Sequence, residues 1–193
     1  MKVYHMSQTL KLGEELQTGY NGNAERCDAF VKALEKGEDC IHSMIVSRKA
    51  ETEKWNDYVK WCVEGVFEFV RKNEFPSIPS RLNCNYYFED LASFKTLYWA
   101  GWAQEPEEER AKIRLYEVEL DEKRPIKCDM LLFDEAYDRM FDSQNIEAVI
   151  NCARKYFSGC SCTNPIWEIM SDKQAKAVKD ISEHLKAYAD QDI

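Results

Sequence analysis

The chain has 193 residues, of which 45% are hydrophobic and 12% aromatic, with a formal charge of −9. That content supports a packed core and argues against disorder. The acidic balance argues against bulk duplex DNA or an anionic membrane as the main partner, since both ask for a basic footprint. No apolar run reaches the length of a membrane span, and the N-terminus lacks the basic and apolar regions of a secretory signal. A cytoplasmic chain with eight reduced cysteines is the expectation.

In chain order, residues 1–7 alternate as a strand, with Val3 and His5 on one face and Tyr4 and Met6 on the other. "KLGEELQTGYNGN" reads as a loop with turn residues at Gly13, Gly19, Asn21 and Gly22. "AERCDAFVKALEKG" reads as a helix closed by Gly37. Trp55, Tyr58, Val59, Cys62, Val66, Phe69 and Val70 then recur at steps of three and four. This stripe predicts one amphipathic helix from about Ser43 to Lys72, with core packing as its simplest role. Pro76 and Pro79 end it.

"RLNCNYYFED" predicts a short strand centred on Asn85–Phe88. "EDLASFKTLYWAGWAQ" predicts a helix with Leu91, Phe94, Tyr98 and Trp102 on one side, and "PEEER" an exposed acidic loop. "AKIRLYEVEL" is the clearest strand. "SQNIEAVINCARKYF" predicts a helix with Ser143 as N-cap. "SGCSCTNPIWEIM" breaks that helix, and "AKAVKDI" fits either helix or strand.

Familiar chemistries are mostly missing from the pattern. Cys160 and Cys162 are close in sequence, but no second ligand pair answers them, so no metal is expected. Cys84 lies near Arg81, yet a structural thiol accounts for it as well as a nucleophile does. Neither glycine-rich phosphate loop is present. What remains is a histidine late in the first strand, a Tyr-Tyr-Phe strand running into a helix, and Glu168 in "NPIWEI". A solvent-facing glutamate on an edge strand is the plain alternative for Glu168. Together, such groups suit chemistry at a glycosidic bond. A carboxylate stabilises positive charge on the sugar, an aromatic ring stacks on a planar base, and a histidine orients a ribose hydroxyl.

In order and spacing, "YHMSQTLKLGEEL", "NYYFEDLASFKTLYWA", "LYEVEL" and "NPIWEIM" resemble the ADP-ribosyltransferase fold superfamily. The resemblance is to its His–Tyr–Glu branch, and within it to small bacterial members of the rifampin ADP-ribosyltransferase type. It implies a single α+β domain over 1–193 with a split, mixed or antiparallel β core and a helical insertion at about 24–74. It also implies NAD as donor substrate, with release of nicotinamide and transfer of ADP-ribose to an acceptor protein, nucleic acid or small molecule. By that carry-over His5 bonds the adenosine-side ribose, Ser7 assists, and Tyr87, or Tyr86 in a slipped register, stacks on nicotinamide. Glu168 stabilises the transition state, with Glu89, Glu117 and Glu119 as competing carboxylates. Arg81, by charge and position, could meet a phosphate. Met6 stands where those relatives carry glycine. An inactive NAD- or ADP-ribose-binding module of the same fold is the second reading. A helical interaction protein is the third.

Overall fold

The computed structural model describes residues 1–16, 23–100 and 102–185, so Gly19, Asn21 and Gly22 of the expected loop lie outside the described residues. The chain divides into two compact units. The first takes in the described residues of 1–18, 85–127 and 166–193, and the second those of 19–84 and 128–165. The segment of about 24–74 therefore folds together with a second stretch, 128–165.

The first unit is built on a seven-stranded sheet. Its strands are β1 (Lys2–Ser7), β2 (Glu15–Leu16), β3 (Asn85–Phe88), β4 (Arg114–Leu120), β5 (Ile126–Asp129), β6 (Trp167–Ser171) and β7 (Ala175–Asp180). Their order is β2-β7-β4-β1-β3-β6-β5, and the chain leaves this unit within β5. The pairings β1/β3, β1/β4, β2/β7, β3/β6 and β4/β7 are all antiparallel. With helices beside this sheet, the protein is α+β.

The sheet's two faces carry different cores. One holds Val3, Tyr87, Tyr116, Val118, Leu120, Ile169, Ala175 and Ala177. The other packs Phe88 and Leu115, flanked by Tyr4 and Met6, against Phe94 and Tyr98 of α4 (Leu91–Ala100). The expected alternation of β1 is thus realised, and so is the expected face of α4. "AKAVKDI" resolves to strand, because Ala175 and Ala177 pair with Leu120 and Val118 and complete the first core. "PEEER" departs from the expected loop: Glu107–Arg110 forms one helical turn, α5, started by Pro106.

The second unit is helical, with α1 (Asn23–Lys36), α2 (Glu38–Lys49), α3 (Thr52–Glu74), α6 (Met130–Ser143) and α7 (Ile146–Phe157). α3 is its centre, packed by the other four. Val59, Val63, Val66, Phe67 and Val70 are all fully buried, so the stripe is core. The single helix expected over 43–72 is two helices, broken at Ala50–Glu51. α2 buries Ile41 and Ile45, whereas α3 begins its buried stripe at Trp55 and Val59. At 3.6 residues per turn those two apolar faces lie only about 40° apart, so their phase does not account for the break.

Two termini here differ from expectation or were not anticipated. Ser143 does not cap α7; it is the last residue of α6, and its hydroxyl donates to the Arg139 carbonyl at 2.9 Å. Asn145 is the cap, accepting from Ala148 N–H at 3.0 Å, after Gln144 turns the chain through φ 50°. Asp129 caps α6 by accepting from Leu131 N–H, and its other oxygen accepts from Cys162 N–H at 2.7 Å.

Candidate functional site

The candidate site begins at β1. His5 sits opposite Tyr116 on β4, and its ring lies 5.6 Å from the Tyr87 ring at a tilt of 55°. Its Nδ1 lies 2.9 Å from the Tyr86 carbonyl oxygen. A carbonyl only accepts, so Nδ1 carries the proton and donates; in the neutral ring Nε2 is then the acceptor. Burial lowers the His5 pKa, against the opposing pull of the Tyr86 carbonyl, and so favours that neutral form. The result is a directed acceptor beside an aromatic ring.

Ser7 shares His5's face by alternation, but its hydroxyl oxygen accepts from Thr9 N–H and Leu10 N–H at 3.2 and 3.1 Å. It therefore shapes the turn leaving β1. Tyr116 is a member of this face that sequence reasoning read only as strand. Its hydroxyl donates to the Leu10 carbonyl at 2.6 Å and holds that turn against the sheet, and burial raises its pKa, so it stays protonated. The signal for it was its alternation within "LYEVEL". Met6 projects to the opposite face with Tyr4, so its side chain does not stand in front of His5.

The remaining expected residues are not brought to His5. Residues directly opposite in an antiparallel pair share a face. Tyr87 is opposite Ile169, and Phe88 is opposite both Tyr4 and Glu168. Glu168 therefore lies on the Phe88 face, and His5 and Tyr87 on the other. It is also no edge glutamate: it is 7% exposed, on a strand with neighbours on both sides. Tyr86 contributes its carbonyl to His5, while its ring projects to Glu168's face. Glu117 and Glu119 lie on that face too, opposite Tyr4 and Lys2, and Glu117 pairs with Lys2 at 2.7 Å. Glu89 follows β3 and pairs with Lys127, which also sits over the Trp167 ring.

Arg81 belongs to the helical unit. Its guanidinium donates to Glu64 at 3.0 and 3.2 Å and to the Tyr156 hydroxyl, and it stacks 4.3 Å from the Phe133 ring centroid. Its charge is spent on that buried network. All eight cysteines are free thiols, and burial pushes Cys27 up to about 12 and raises Cys62 as well. Those two are poor nucleophiles. Among the described residues no cluster of three His, Cys, Asp or Glu side chains could hold a metal, and no helix is long and apolar enough to cross a membrane.

The fold and site define an α+β protein with an antiparallel sheet and a histidine–tyrosine pair on one face. Residues 3–183 match the family described as "Protein of unknown function (DUF2441)", and the chain belongs to that family. A comparison with curated proteins finds no match.

Proposed function

We propose that the protein binds NAD or ADP-ribose through the His5–Tyr87 face, as a module of ADP-ribosyltransferase-like build. The observation that carries this is the His5 ring, held by the Tyr86 carbonyl with Nε2 as acceptor and with Tyr87 beside it. A ribose hydroxyl donates to such a nitrogen, while Tyr87, 1% exposed, supports the His5 ring from the core rather than offering its own face to a ligand. A cytoplasmic setting fits the free thiols.

The transferase reading is the second one, and a specific feature keeps it open. Glu168 is a buried carboxylate one strand over and one residue out of phase with the Tyr87 pair. A one-residue slip of the β6 register would turn it onto His5's face, because side chains alternate with period two. In the register observed, binding is supported more directly than transfer.

Calorimetry with NAD and with ADP-ribose tests the binding, and nicotinamide release tests the transfer. Saturable binding without release is the expected result, with Glu168→Gln binding like the parent chain. No binding of either ligand by a folded chain removes the proposal. Nicotinamide release that Glu168→Gln abolishes replaces it with the transferase.

A further inference from the structure

A cavity lies in the sheet unit, on the Phe88 side rather than the His5 side. It is an open cleft of about 740 Å³, and Tyr98, Arg110, Ile113, Arg114, Glu183 and Leu185 are among its walls. That volume is within the usual range for a small-molecule site. Tyr98 and Ile113 are buried members of its apolar wall.

Arg110 is the residue that singles this cavity out. Its Nε is buried and has no hydrogen-bond partner among the described residues. A guanidinium cannot shed its proton, so this N–H remains a desolvated donor, which costs free energy until an acceptor meets it. Arg114 stands beside it and is held in place, its Nη1 donating at 2.9 Å to both the Ala111 and the Ile113 carbonyl. Two arginines in one cavity, one with an unanswered N–H and one fixed by backbone, match the planar oxygens of a carboxylate or phosphate. Glu107 and Glu183 line the same space, so the net charge of the four is zero. That balance suits a single oxyanion group and works against a polyanion.

We propose that this cavity binds a small organic anion, one carboxylate or phosphate group on a compact apolar body. The oxyanion sits against Arg114 and against Arg110, whose side chain turns on binding to bring its shielded Nε–H into the cavity, and the apolar part lies against Tyr98, Ile113 and Leu185.

The test uses the full chain labelled with 15N, following the arginine Nε–H resonances by NMR. Phenylacetate and phenyl phosphate are titrated separately to about 10 mM, a range that detects millimolar dissociation constants. Phenylethanol, which lacks the charge, is the control. The expected result is a saturable shift of the Arg110 Nε–H resonance with one of the two anions, and the one that shifts it identifies the oxyanion. Arg110→Gln should weaken the saturable effect on neighbouring amides of 107–113 at least about tenfold. It should fold normally, because the Nε it removes answers no described acceptor. The proposal is overturned if neither anion gives a saturable shift, if phenylethanol shifts the same resonances equally, or if folded Arg110→Gln binds like the parent.

Discussion

The two units treat their buried charged groups differently. In the helical unit, buried charges are closed on one another: Arg81 with Glu64 and Tyr156, and Arg71 with Glu68, which also accepts from Ser80. In the sheet unit, His5 has a fixed orientation with an acceptor to spare, and Arg110 has a buried donor that no described group answers. A satisfied polar network holds a fold together, while an oriented group with capacity left over is available to a ligand. The difference is one of charge alone, since the helical unit also buries Trp55 Nε1 and Asn83 Oδ1 without a hydrogen-bond partner.

That contrast can be broken from either side. The largest effect is expected at Glu64→Ala, which strands the Arg81 guanidinium, 8% exposed, without its carboxylate. Removing one partner of a buried pair costs about 3–5 kcal/mol, read as a fall in the urea midpoint. Retained stability would mean that Arg81 is not committed as described.

Gly65→Ala comes next, in the same unit. The new Cβ would meet Phe30 Cβ at 2.8 Å, with the Cys27 carbonyl oxygen at 3.4 Å, where α1 packs on α3. Overpacking of this kind costs about 1–3 kcal/mol by the same measurement. NAD binding should be unchanged in the surviving folded fraction.

His5→Ala reverses the pattern. NAD affinity should fall about tenfold, the size of one well-directed hydrogen bond, with a smaller change in the urea midpoint. The pH dependence sharpens this. Burial holds the folded His5 below its ordinary value of 6.5, so the unfolded chain takes up the proton first. Affinity and the His5 contribution to stability are therefore complete above 6.5, and both decline as pH falls through the depressed value. Affinity that rises on acidification would show that the protonated ring is the binding form.

The smallest effect is expected at Glu74→Gln. Arg154 donates to both Glu74 oxygens at 2.8 to 3.1 Å, and this bond holds the carboxylate below its usual range. The pair is exposed and screened, so the fall in the urea midpoint should be the smallest of these and should vanish in high salt.

Local pattern was enough for much of this molecule. Alternation in "KVYHMS" put Val3 and His5 together and Tyr4 and Met6 apart, because the strand period is two regardless of what surrounds it. The apolar spacing of α3 and α4 likewise announced which sides would be buried. The candidate site was legible only in part. His5 and Tyr87 are neighbours as the motif order implied, but Glu168 is separated from them by register, and register between β3 and β6 belongs to two segments about eighty residues apart. The break at Ala50–Glu51 was not legible, because Ile41, Ile45, Trp55 and Val59 fit one stripe of a continuous helix.

By itself, then, the sequence determined the periods of its clearest segments and which residues within each share a side, while it left "AKAVKDI" between helix and strand. Tertiary structure alone decided the partners. It set Tyr87 against His5, gave Glu168 to Phe88, enclosed Arg81 with Glu64, and left Arg110 facing a cavity. The reason is physical. Periodicity follows from the geometry of one chain segment, whereas the fate of a charge depends on the solvent and partners that remain once distant segments have packed.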